Sequence, residues 1–101
     1  MSTNDLEDVG DKATAALSAV DGDAGASPVL RAVVQEFASK AGKAVKLSGK
    51  DRAWEAVIEL EQAGDSAKAA AEADAGAAPE TAAAVQAAHL AICVLKAEFG
   101  K

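Results

Sequence analysis

The chain has 101 residues, a formal net charge of −6, and apolar side chains at half of its positions. Of these, 28 are alanine and 23 are larger, and only Phe37, Trp54 and Phe99 are aromatic, so a single domain over 1–101 with a thin, closely packed core is expected. That charge repels duplex nucleic acid, no run approaches the roughly 18 apolar residues of a membrane span, and one cysteine makes no intramolecular disulfide.

Alanine favours helix, and no alternation of strand length is present, so the whole chain reads as helical. The opening MSTNDLEDVG is acidic and lacks the apolar region of a signal or transit peptide; the expected location is cytoplasmic. The first helix should run from about 4 to 21. Leu6, Val9, Ala13, Ala16, Leu17 and Val20 share one face, and Asp5, Glu7, Asp8 and Asp11 favour the dipole at its start. DGDAGASP then forms a loop. Ser27 is a good N-cap, and Pro28 fits the first position of a second helix. Leu30, Val33, Val34, Phe37, Ala41, Ala44 and Val45 make its apolar stripe. Gly42 inside it suggests close approach of a neighbouring helix, and Ser48-Gly49 ends it.

The third helix should start near Asp51, with Trp54, Val57, Ile58 and Leu60 on its apolar side and Glu55, Glu59 and Glu61 on its wet side. At Gly64-Asp65-Ser66 it either breaks and is recapped or continues with a local bend. The phase of Ala63, Ala67, Ala70 and Ala71 favours continuation. AGAAPE is the next loop, and Pro79 opens a last helix to about 98, with Val85, Ala88, Ile92, Leu95 and Phe99 toward the core. Short connections between long helices imply an all-α, alanine-rich, antiparallel (up-and-down) four-helix bundle. No internal repeat stands out. AWEAVIELEQAGDSAKAAAEA resembles part of a tetratricopeptide unit in Trp54, Val57 and the Gly64-Asp65 pair; with a spacing one residue short, it implies a helical hairpin at most.

Three features bear on function. His89 and Cys93, the sole histidine and cysteine, are four residues apart and so share a helical face, where they could bind a ligand or metal or make the thiol reactive. Structural zinc wants four ligands, no Glu-x-x-His or Cys-x-x-Cys-His is present, and the bland reading is a buried thiol beside a half-exposed imidazole; no cofactor is expected. AHLAICVLK resembles the histidine-phosphotransfer motif in having a histidine in an apolar helix with a lysine further on. Ala91-Ile92-Cys93 replaces the lysine and glycine of that motif, and the histidine stands in the last helix. A helical phosphocarrier is therefore only an alternative. The last helix is apolar nearly all round: Leu90, Cys93, Val94 and His89 are candidate interface residues, to be covered by a second copy or a protein partner unless the helix lies centrally. Finally, Lys43, Lys46 and Lys50 form a basic strip opposite the stripe of helix two, suited to an acidic partner or simply solvated. No nucleophile–base pair is visible, so the expectation is a non-catalytic interaction module, of adaptor, inhibitor, immunity or assembly type.

Overall fold

The computed structural model describes residues 3–47 and 53–99, with side chains placed over 6–47 and 53–98. The described residues are all-helical: α1 is Thr3–Asp21, α2 Pro28–Lys46, α3 Ala53–Ala73 and α4 Pro79–Phe99. They form a compact body of 40 × 20 × 18 Å in which α1 packs on α2 and α4, and α3 packs on the same two helices. The expected boundaries at Ser48-Gly49, Asp51 and Gly100, the side chain of Phe99 and the last lysine of the basic strip, Lys50, lie outside the described residues.

The core follows the spacing of three and four read in α1, α2 and α4. Leu6, Val9, Ala13, Ala16 and Val20 of α1 meet Leu30, Val34, Phe37, Ala41 and Ala44 of α2 and Val85, Ala88, Ile92 and Leu95 of α4, all buried. Leu17, Val33 and Val45 are only partly buried at its edge. In α3 the buried face is turned from the expected one: Ala53, Ala56, Val57, Leu60, Ala63, Gly64, Ala67 and Ala71 are inside. Trp54 is 37% exposed, and Ile58 is half-buried. Ala53, Ala56, Ala63, Gly64, Ala67 and Ala71 flank Val57 and Leu60 along the seam.

Gly64 neither breaks nor bends α3 into two helices; the helix is continuous from Ala53 to Ala73 and is no helical hairpin. The Ser66 hydroxyl donates to the Gln62 carbonyl one turn back, so it caps nothing. A Cβ at Gly64 would lie 3.3 Å from both Ile92 Cγ2 and Phe37 Cζ. This is the close approach that had been expected at Gly42, which instead is exposed and has nothing within 4 Å of a built Cβ.

The chain also contains an internal repeat that the sequence reading missed. Asp-Ala-Gly-Ala-x-Pro stands at 23–28 and again at 74–79, an offset of 51 residues. Applied to the buried positions of α1 and α2, the same offset lands on buried positions of α3 and α4 throughout: Leu6 on Val57, Val9 on Leu60, Ala13 on Gly64, Leu30 on Thr81, Phe37 on Ala88, Ala41 on Ile92. Few of these pairs are identical residues, which hid the relation.

The two Asp-Ala-Gly-Ala loops clasp each other. Asp23 Oδ1 accepts from Gly25 N (2.9 Å) and its Oδ2 from Ala78 N (2.7 Å); Asp74 Oδ1 accepts from Gly76 N (3.0 Å) and its Oδ2 from Ser27 N (2.8 Å). Each carboxylate thus closes its own turn and binds the residue just before the opposite half's second helix. The Ser27 hydroxyl caps α2 by accepting from Leu30 N. Ala78 cannot do the same for α4. There the buried Thr81 donates to Asp23 Oδ2 at 2.8 Å. Gly25 and Gly76 lie back to back: a Cβ on Gly25 would come 2.0 Å from the Gly76 carbonyl oxygen.

Hydrogen bonds from Ala78 and Thr81 hold the Asp23 carboxyl below its ordinary 3.8, and those from Ser27 do the same for Asp74. A carboxylate depressed on folding contributes stability above the ordinary value, and that contribution is lost as pH falls through the folded value below it. Acid unfolding should therefore begin below about pH 4, and Asp23→Ala and Asp74→Ala should each lower the urea midpoint at neutral pH and flatten the acid limb. Unchanged acid limbs in both would show that the clasp carries no linkage. The glycines make a second, opposed pair of predictions. Gly42→Ala should stabilise by about 0.4–1 kcal/mol, while Gly64→Leu should cost about 1–3 kcal/mol by overpacking, both read from urea unfolding.

Candidate functional site

Along the seam between α3 and α4 runs a ladder of polar side chains on a thin alanine background. Lys96 Nζ donates to Glu61 Oε1 at 2.7 Å. One turn along α3, Asp65 Oδ1 lies 2.6 Å from His89 Nε2. Between these rungs sits Cys93, its Sγ 3.6 Å from His89 Nε2 and 3.9 Å from Nδ1. A carboxylate only accepts, so Nε2 carries the proton and Nδ1 is the ring nitrogen left to accept. His89 and Cys93 are half-buried and Asp65 is exposed. One oxygen of Asp65, one ring nitrogen of His89 and the sulfur of Cys93 all lie within 4.8 Å of one another, a ligand trio of three chemical types.

The helical spacing of four brings His89 and Cys93 together as expected. Asp65, the third member, had been read only as a possible cap, and Glu61 as wet surface. Their own spacing of four on α3 was the available signal, because it aligns them with the seam. Burial raises the Cys93 thiol above its ordinary 9.0, and the carboxylates of Glu61 and Asp65 raise it further. The lone thiol is therefore protonated at neutral pH, which disfavours an activated nucleophile.

Leu90 and Val94 occupy a different flank. They are 64% and 51% exposed and line a shallow groove with Ala87, Ala91, Asp8 and Lys12, on the side of α4 facing α1. The four residues expected to share one interface thus divide between two sides of α4. With Leu90 and Val94 go Ala83, Ala87 and Ala97, all exposed. These five positions alternate spacings of four and three, the heptad seam of a packing helix. A count of that period would have found it; attention to large residues missed the alanines.

The basic strip is exposed at Lys43 and Lys46 on α2. Its neighbour Lys40 reaches toward Glu36 and Glu59 at 3.9 and 3.8 Å, distances of loose surface pairs that contribute little. No helix among the described residues is long and apolar enough to cross a membrane. Comparison of the chain with protein-family models, with curated proteins and with solved structures finds no match.

The thiol gives a direct check. With cations chelated, a neutral alkylating reagent at about pH 8 should label native Cys93 more slowly than the same thiol in the urea-unfolded chain. Glu61→Gln should raise the native rate by removing one of the two carboxylates that hold the thiol up. Labelling as fast as in the unfolded chain would contradict the protonated, half-buried thiol.

Proposed function

We propose that the protein is a small, acidic, non-catalytic interaction module, an up-and-down bundle of one domain working in the cytoplasm, whose docking strip is the outer face of α4. The observation that carries this reading is the exposed line Ala83, Ala87, Leu90, Val94 and Ala97. The corresponding outer positions of α2 in the internal repeat are Ala32, Glu36, Ser39, Lys43 and Lys46. Four of these five positions are polar in one half, with Glu36, Lys43 and Lys46 charged, and all five are apolar in the other, so folding does not require apolar residues there.

A second copy of the chain is the occupant that fits best. About Leu90 the strip reads similarly in both directions: Ala83 corresponds to Ala97, and Ala87 falls opposite Val94. Two α4 helices crossing antiparallel on a two-fold axis at Leu90 would set small residues against larger ones, the self-complementarity an isologous contact needs. The strip itself is uncharged, so two copies of net charge −6 can meet on it with their carboxylates at the rim.

Light scattering across a concentration series should then give twice the chain mass of 10.0 kDa. Leu90→Asp and Val94→Asp should keep the helical circular dichroism of the native chain yet stay monomeric, with association weakened by about 2 kcal/mol or more. In a Cys93→Ser background, Leu90→Cys should oxidise to a covalent dimer while Ala83→Cys should not. A native chain that is monomeric throughout would overturn the second copy as occupant; unfolding of both aspartate variants would overturn the strip itself.

A further inference from the structure

We propose that Asp65, His89 and Cys93 form a three-ligand site for a divalent cation of zinc's class, with water in the fourth position. The inference is independent of the docking strip, which lies on the other flank of α4. Three observations carry it.

The first is geometric. With zinc–sulfur and zinc–nitrogen bonds of about 2.3 and 2.05 Å, tetrahedral ligands stand about 3.5 Å apart. Cys93 Sγ and His89 Nε2 are 3.6 Å apart already. The pair Asp65 Oδ1 and His89 Nε2, at 2.6 Å, must open by roughly 0.8 Å. Asp65 has the freedom to do so, its side chain being 60% exposed on the rim of the seam.

The second is the internal repeat. The positions equivalent to Asp65, His89 and Cys93 are Thr14, Ala38 and Gly42, which line the matching groove between α1 and α2. The rung Glu61–Lys96 corresponds to Gly10 and Val45, where even a Cβ built on Gly10 would meet Val45 Cγ2 only at an ordinary 3.5 Å. That groove is built with no ligating nitrogen or sulfur, so packing alone does not call for an imidazole and a thiol here. The two halves share a core and differ in this trio.

The third is charge. Ionised Asp65, the Cys93 thiolate and neutral His89 sum to −2, which a divalent cation neutralises in a half-buried seam. Binding replaces the S–H bond by a sulfur–metal bond and releases that proton to solvent. The imidazole proton moves from Nε2 to Nδ1, freeing Nε2 to ligate, with no net change. Each ion therefore releases one proton when His89 starts neutral. The carboxylate of Glu61, held by Lys96, adds attraction for the cation without occupying a ligand position.

Cobalt(II) is the probe, because its bonds to thiolate are coloured. Titrating it into the chelator-treated full chain at about pH 7.5 should produce a thiolate-to-cobalt charge-transfer band and visible bands of tetrahedral intensity, saturating at one ion per chain. Zinc added afterwards should bleach both. Cys93→Ser should abolish the charge-transfer band, and His89→Ala and Asp65→Asn should each weaken binding by about tenfold or more. The Leu90→Asp chain should bind as the native chain does, since the site lies within one copy. Three results would overturn the proposal: no charge-transfer band at millimolar cobalt, affinity unchanged by His89→Ala or Asp65→Asn, which would reduce the site to an adventitious thiol, or equal binding by the urea-unfolded chain. Circular dichroism of each variant guards against misfolding, and Thr14→Asp in the equivalent groove, which has no imidazole or thiol, should add no cobalt charge-transfer band.

Discussion

The crossed pair of carboxylates at one end of the molecule is the constraint from which the rest follows. Asp23 and Asp74 each tie down their own turn and then reach across to a backbone N–H in front of the other half's second helix. That exchange fixes where α2 and α4 begin relative to one another. It also presses Gly25 against Gly76 so closely that neither position has room for a side chain. With the ends registered, the helices lie in one phase along their length, and Phe37, Gly64 and Ile92 meet in mid-body. A core with so few large side chains tolerates little slippage, since alanine offers small surface to recover what a shifted contact loses.

Internal symmetry of this kind separates what the fold needs from what it does not. Positions buried in both halves, such as Val34 and Val85, serve the core. Positions that match in place but differ in chemistry are free of that duty. Two sets stand out, and both are on α4: the apolar outer strip around Leu90, and the imidazole and thiol beside Asp65. In the half formed by α1 and α2 the matching outer strip carries Glu36, Ser39, Lys43 and Lys46, and the matching groove holds no imidazole or thiol. Each departure is therefore a place to look for function, and their lying on two flanks of one helix explains why α4 is apolar nearly all round without being central.

Much of this architecture was legible in the chain. Proline openings at Pro28 and Pro79 and the spacing of three and four set the helices within about two residues. Ser27 was legible as a cap because its local hydrogen bond needs no partner from elsewhere. What escaped depended on distant contacts. Gly64 and Gly42 exchanged roles because a helical glycine looks the same whether a neighbouring helix touches it or water does. Trp54 was assigned inward by size, whereas the buried face of α3 is Val57 and Leu60 with alanines and Gly64 around them. Thr81 is buried because Asp23, far away in sequence, accepts its hydroxyl. The pairing of Asp65 with His89 needed two helices to be set side by side, though the spacing of Glu61 and Asp65 hinted at it.

The thiol is where these strands meet. In a half-buried seam between two carboxylates, a bare thiolate is disfavoured by every neighbour except the lysines, so Cys93 stays protonated. Burial, the larger cause, opposes any unneutralised charge, while the carboxylates of Glu61 and Asp65 oppose loss of a proton to water and stabilise a divalent charge in the proton's place. A reactive nucleophile would want the reverse, a cationic neighbour or a helix N-terminus, and Cys93 stands in the second half of α4, far from its N-terminus. The same field thus argues against thiol chemistry at this position and for metal ligation, with Asp65 and Glu61 counting on the same side in both arguments.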